Sequence, residues 1–274
     1  MRVGFIGLGD MGGAMAQRII DAGFPTVLWA RRREALAPFA GESVETAETP
    51  ADLAARADLV CVCVWADDDV REVLGGKSGV LAGCRPGTIV AIHSTIAPAT
   101  SRELADAATE RDVTVLDVPV SGGRDVALAG SLAVAVGGDE EAAERCRPVF
   151  ETYGDQVLHV GPVGAAQSLK LVNNALLSAN LAVADDALTV GAALGIKPEA
   201  MQQLLRSGSG RSYALDVVIG ARGSSEIRAA ARPALEKDVH ALAAAADGDA
   251  ALLLQAAEEA VQRLGDPPPG WVPG

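Results

Sequence analysis

The sequence predicts an α/β fold in two parts: a doubly wound parallel sheet over residues 1–161, then an all-α domain over residues 162–266, with a loose Pro/Gly-rich tail at 267–274. Three observations predict it. Short β-rich apolar runs alternate with helical stretches through the first 160 residues, as strands covered by helices on both faces do. That alternation stops at Gly161-Pro162. From about Ala165 to Leu194 there is then no proline and Gly191 is the only glycine, the mark of one long helix.

The strands are expected at Val3–Ile6, Thr26–Ala30, Leu59–Val64, Thr88–Ile92, Val113–Asp117, Leu132–Val136 and Gln156–Val160, several of them apolar throughout. A helix should begin near Met11 and stop at Gly23, which suits the left-handed position after a helix end. Another should start after Pro98. A third should start near Asp139, where glutamates in the first turn favour a helix N-terminus. The long helix would span roughly 45 Å at ~1.5 Å per residue. It is apolar over much of its circumference (ALLSANLAVADDALTVGAAL), so it must be covered on several sides. Helices near 198–206, 228–246 and 250–264 supply part of that cover, and the remainder predicts a homodimer or homotetramer.

Composition narrows the function. Apolar residues make up 49% of the 274, ample for a core, and aromatics only 3%. A net charge of −13 argues against a general nucleic-acid binder, which needs a basic face. No uninterrupted apolar run reaches the ~18 residues of a membrane helix, so no membrane span is expected. Met1-Arg2 leads straight into a strand-like run, so no leader is expected either, and the location expected is cytoplasmic. Cys61 and Cys63 alternate in LVCVCVW, which puts them on one face of a strand; Cys84 and Cys146 stand apart. Buried reduced thiols, and no metal site, are the expectation.

Gly7, Gly9 and Gly12 form G-x-G-x-x-G between a strand and a helix. In the loop Gly7-Leu8-Gly9-Asp10-Met11-Gly12 the first glycine permits a tight turn. The second lets the backbone approach a pyrophosphate, and the third lets helix and strand pack closely. The helix N-terminus offers N–H groups and a positive dipole end to phosphate. A glycine turn also occurs without a ligand; the strand–turn–helix context at residue 7 is what favours a dinucleotide. NAD-binding versions place an acid about 20 residues further on, at the end of the second strand. Here that place reads Trp29-Ala30-Arg31-Arg32-Arg33. A guanidinium grips a 2′-phosphate where an acid would repel it, so NADP is preferred over NAD, with Arg31 and Arg32 as the contacts.

Four stretches now carry a resemblance: GFIGLGDMGGAMA at the start, HSTIAPATSREL at 93–104, DVPVSGGRDVALAGSLAVAVGG at 117–138 and GPVGAAQSLKLVNNAL at 161–176, with a weaker fifth, EKDVHALAAAA at 236–246. In content and order the chain resembles the β-hydroxyacid dehydrogenase family, the group around 3-hydroxyisobutyrate dehydrogenase and tartronate semialdehyde reductase. The resemblance implies a Rossmann-type domain, a helical domain, dimerisation through the long helix, and reversible NAD(P)-dependent oxidation of a β-hydroxy acid. It makes Lys170 the catalytic lysine, places Ser121, Gly122 and Gly123 on the substrate carboxylate, and sets Thr95 near the nicotinamide. Lys237 would reach cofactor and substrate. Trp65 would border the nicotinamide-side loop.

The residues make chemical sense beside that resemblance. Lys170 sits in an apolar run (SLKLVNNALL), where a charge needs a reason, and Asn174 lies four residues on, on the same helix face. An ammonium there can stabilise the developing oxyanion and donate its proton; the neutral amine can take it back. Ser121-Gly122-Gly123 can form an anion nest for a small carboxylate substrate. One departure concerns the pocket. Many members carry a Phe before the second-domain lysine, whereas IRAAARPALEKD has none and offers Arg228 and Arg232. The pocket is then wider, or the substrate more anionic; Arg211 and Tyr213 are further lining candidates. Two alternatives stay open. One is an imine reductase-like enzyme, which would usually replace Lys170. The other is a catalytically silent NADP-binding interaction module.

Overall fold

In the computed structural model, the described residues are 1–39, 44–221, 225–246 and 251–263. They divide into two compact units, residues 1–170 and residues from Leu171 onward. The tail at 267–274 lies outside the described residues.

The first unit is a nine-stranded sheet flanked by helices. In chain order it runs β1 (Val3–Ile6), α1 (Asp10–Asp21), β2 (Thr26–Trp29), a 3-10 turn (Arg33–Phe39), β3 (Val44–Thr46), α2 (Pro50–Ala55) and β4 (Leu59–Val62). Then come α3 (Asp67–Leu74), α4 (Val80–Gly83), β5 (Ile89–Ile92), α5 (Pro98–Thr109), β6 (Thr114–Asp117), β7 (Val120–Ser121), α6 (Arg124–Leu128), β8 (Leu132–Gly137), α7 (Glu140–Phe150) and β9 (Gly154–Gly161). The strand order is β3-β2-β1-β4-β5-β6-β8-β7, with β9 also paired to β8. The first six strands are parallel. Beyond β6 the sheet is mixed: β8 runs antiparallel to β6 and β7, and β9 parallel to β8. β1, β4 and β5 are buried along their whole length, as strands between two helical layers must be. One core layer gathers Phe5, Met15, Ile19, Phe150 and Tyr153; the other gathers Ile6, Leu53, Leu74, Ile92 and Leu104.

The predicted helix starts and stops rest on visible caps. Gly23 follows α1 at φ +83°, and the Asp139 carboxylate accepts the Ala142 N–H at 2.8 Å to open α7. Because β1, β2, β4, β5 and β6 are parallel neighbours, their carboxyl ends share one edge of the sheet. The strand order reverses between β1 and β4, the kind of switch point at which open α/β sheets hold their ligands.

The second unit holds the remainder of α8 (Ala165–Ala193) with α9 (Pro198–Ser207), α10 (Tyr213–Ala221), α11 (Ser225–Ala245) and α12 (Ala251–Arg263). Leu171 and Ala175 pack with Leu235, Val239, Leu242, Ala257 and Val261. Further along, Ala184 and Leu188 pack with Leu215 and Val218. By length and mean hydropathy α8 is apolar enough to cross a membrane, because alanines and leucines outweigh its few polar residues. One face of it is nonetheless committed to the core just described.

Candidate active site

The glycine loop has the stereochemistry its sequence predicts. Gly7 adopts φ +93°, and a Cβ there would lie 2.0 Å from the Cys63 carbonyl oxygen. A Cβ on Gly12 would lie 1.9 Å from the Gly7 carbonyl oxygen. No side chain caps α1 at Gly9, and the first helical bond is Gly13 N–H to Gly9 C=O at 2.7 Å. The N–H groups of Asp10, Met11 and Gly12 therefore have no acceptor within the helix, and they open α1 just past the carboxyl end of β1. Leu8 and Met11 pack partly into the core and anchor the loop. Asp10 is exposed, 3.9 Å from the Arg124 guanidinium. This backbone fits a dinucleotide: at Gly7 and Gly12 a side chain would collide with the chain's own backbone, so the glycines permit the tight strand–turn–helix form such a ligand needs.

Arg31 and Arg32 are exposed just past the end of β2. Arg31 is not an isolated cation: its Nη2 donates to Asp69 at 3.1 Å and Glu72 at 3.0 Å, both on α3. β4 ends at Val62, earlier than its apolar run suggests, so half-buried Trp65 lies in the turn before α3 rather than on the strand. Thr95, half-buried, lies three residues past the end of β5. His93, between them, is structural. Its Nδ1 donates to the Val118 carbonyl at 2.7 Å, Tyr153 Oη lies 3.3 Å from Nε2, and the ring stacks on Phe5. Burial pushes its pKa down to about 4, which keeps it neutral.

Ser121 ends the two-residue β7, and Gly122 and Gly123 follow at φ +144° and +86°, both exposed. A Cβ on Gly122 would meet Val126 at 2.7 Å. Positive φ at two successive residues is a conformation glycine adopts readily, and it is the kind of turn that can build an anion nest.

Two residues that sequence reasoning did not single out join these pieces. Asp117, fully buried at the end of β6, accepts the Gly164 N–H at 2.8 Å and the Gln167 N–H at 2.9 Å, and so caps α8 from the sheet. Burial raises its carboxyl pKa, and those two N–H groups oppose the rise. A Cβ on Gly137 would lie 2.4 Å from the same carboxylate, which explains that glycine. Gln167 bonds Ser94 and Ile96. The cap seats the first turns of α8 on the sheet, so half-buried Lys170 is the last residue of the first unit. Asn174, one turn further along the same helix, belongs to the second.

Within the second unit Asn174 and Lys237 share a partner. Buried Asp238 accepts from Asn174 Nδ2 at 2.6 Å and pairs with Lys237 Nζ at 2.8 Å. Arg232 pairs along its own helix with Glu236 at 3.5 Å. Arg211 and Tyr213 are exposed. The Arg228 side chain lies outside the described residues.

Residues 2–161 match the family model described as the NAD binding domain of 6-phosphogluconate dehydrogenase. Residues 164–266 match the model for the NAD-binding part of NADP-dependent 3-hydroxyisobutyrate dehydrogenase. The chain belongs to the β-hydroxyacid dehydrogenase family. It is an NAD(P)-dependent hydroxyacid dehydrogenase of the 3-hydroxyisobutyrate dehydrogenase type. Over 216 residues this dehydrogenase is 35% identical to a 2-(hydroxymethyl)glutarate dehydrogenase of Eubacterium barkeri, covering 79% of this chain and 72% of that one. It is 37% identical, with the same coverage, to an NAD-dependent L-serine dehydrogenase of Pseudomonas aeruginosa. Among solved structures, a 3-hydroxyisobutyrate dehydrogenase of Mycobacterium tuberculosis with L-serine superposes with a TM-score of 0.85 at 28% identity, covering 96% of this chain and 94% of that chain.

Proposed function

We propose that this dehydrogenase interconverts a small β-hydroxy acid and its semialdehyde or keto form, with NADP(H) preferred over NAD(H). The observation that carries the reading is the order of groups along one sheet edge. Across β2, β1, β4, β5 and β6 with its continuation β7, which pairs β8 in the same register as β6, it runs Arg31 and Arg32, then Gly7 to Gly12, then Trp65, Thr95 and the Ser121-Gly122-Gly123 turn. A 2′-phosphoadenosine, a pyrophosphate, a nicotinamide and a substrate carboxylate need those groups in that order.

When bound, the nicotinamide cofactor supplies or accepts the hydride. The chain's own residues do the remaining work. Arg31 and Arg32 hold the 2′-phosphate, and the N–H groups opening α1 hold the pyrophosphate. The Ser121 hydroxyl with the Gly122 and Gly123 N–H groups holds the carboxylate. Lys170 Nζ donates a proton to the carbonyl oxygen during reduction and, as the neutral amine, removes it during oxidation. Asn174 and Lys237, both fixed by Asp238, orient the substrate. The compounds named for the relatives, L-serine, 2-(hydroxymethyl)glutarate and 3-hydroxyisobutyrate, all carry a hydroxymethyl group beside the carboxylate-bearing carbon, and that class is the substrate proposed. The Pseudomonas aeruginosa relative is NAD-dependent by name, so the NADP preference rests on Arg31 and Arg32 of this chain. A second copy is proposed to cover Val172, Leu176, Val183 and Val190, exposed residues of α8, the last three at seven-residue spacing.

A panel of hydroxymethyl carboxylates and their semialdehydes, assayed with NADPH and NADH on wild type and Lys170→Ala, tests the reading. Lys170-dependent turnover of one member supports it. Turnover of cyclic imines alone would move the assignment to an imine reductase, and tight NADPH binding without turnover would leave a silent binding module.

A further inference from the structure

We infer that Gln167 is a positioning residue that holds Thr95 and Lys170 in one frame, with Asp117 as its anchor. The inference takes the roles of Thr95 and Lys170 from the function proposed above, while the geometry stands without it. Gln167 is fully buried, where an amide is costly unless its donor and acceptor are both paired. Both are. Its Oε1 accepts the Ile96 N–H at 3.2 Å, and its Nε2 donates to the Ser94 carbonyl at 2.8 Å. Those two backbone groups flank Thr95. The side chain thus grips the peptide on either side of Thr95 as a neighbouring strand would, beyond the point where β5 has ended.

The grip is itself anchored. The Gln167 N–H donates to one Asp117 oxygen while the Gly164 N–H takes the other, so the end of β6 and the residues following β5 are tied to the same turn of α8. Ser94 extends the tie: its Oγ accepts the Val64 N–H at 2.8 Å, beside Trp65. Lys170 follows Gln167 by three residues, less than one helical turn. A shift of this turn therefore displaces Lys170 and releases Thr95 together. A leucine would fill a core position at less desolvation cost; the two backbone groups around Thr95 are what require a glutamine.

The test uses the full chain. Gln167→Met keeps the size and loses both bonds; Gln167→Glu keeps the acceptor for Ile96 and loses the donor to Ser94. Amide hydrogen exchange without cofactor should quicken in residues 94–97 and 165–170 of either variant, while β1 keeps its protection. With a turned-over hydroxy acid, kcat should fall about 10- to 100-fold with the KM for cofactor little changed, the scale of a small misplacement at reacting groups. The primary isotope effect with C4-deuterated cofactor should rise as hydride transfer becomes slower. Exchange unaltered in those segments overturns the proposal. So does a kcat at the wild-type value with only a lower melting temperature, which is a merely structural role. If wild type turns over no hydroxy acid, the functional reading fails alone and the exchange result still decides the tie.

Discussion

Replacing Arg31 with Asp tests the cofactor assignment most directly. In the wild type one Arg31 nitrogen satisfies two carboxylates, Asp69 and Glu72. Arg31→Asp would remove that guanidinium and set a third carboxylate beside them. Losing a charge-assisted bond to the 2′-phosphate costs about 1.5–3 kcal/mol. Repulsion between the new carboxylate and the phosphate, some 6 Å apart in a half-solvated setting, adds roughly 1–2 kcal/mol. Together these weaken NADPH binding by about a hundredfold to a few thousandfold. NADH lacks the phosphate and should change little. Cofactor fluorescence titrations at one fixed ionic strength read both affinities, since salt screens this exposed site. Equal weakening of NADPH and NADH would show that Arg31 does not read the 2′-phosphate.

Further outcomes concern other parts of the molecule. Lys170→Met should leave NADPH affinity nearly intact and reduce turnover by about 10²- to 10⁴-fold, the range for a lost acid–base group; turnover near wild type would remove Lys170 from the mechanism. His93 should make stability acid-sensitive. Burial depresses its folded pKa to about 4, below the unfolded value of about 6.5. Its contribution is therefore complete above the unfolded value and is lost as pH falls toward the folded one. The loss is worth roughly 3 kcal/mol at its limit. Urea midpoints of wild type and His93→Asn should converge between neutral and acid pH; parallel curves would contradict this account. Val183→Glu places a charge on the exposed stripe of α8 and should shift sedimentation toward the monomer, and an unchanged oligomer would exclude that face as the contact.

Much of this architecture was legible because it is written locally. Short β-rich, largely apolar runs marked the parallel strands β1, β2, β4, β5 and β6, and caps such as Gly23 and Asp139 marked helix limits. What was not legible is either short or non-local. The strands at Val44–Thr46 and Val120–Ser121 and the helix at Val80–Gly83 are too brief for a periodicity to register. The reversal of β8 leaves no trace in its own apolar pattern, since direction is set by the partner strand. The glycine loop could be read from its motif, and Lys170 stands out in its apolar run as a candidate. Asp117 and Gln167 could not: their partners lie 47 to 73 residues away, and a buried Asp or Gln carries no local signature of what it holds. The same applies to Arg31, whose two acids stand 38 and 41 residues downstream.

The strand order also separates two kinds of change. Four steps of about 4.8 Å between neighbouring strands set the arginines after β2 roughly 19 Å across the sheet from the line of β6 and β7 that ends in the Ser121-Gly122-Gly123 turn, well beyond the range at which substitutions normally couple. Exchanging the nucleotide and widening the acid accepted are therefore separable engineering tasks. Mutations at either end should combine additively, so a change of nucleotide preference could leave the choice of hydroxy acid as it is.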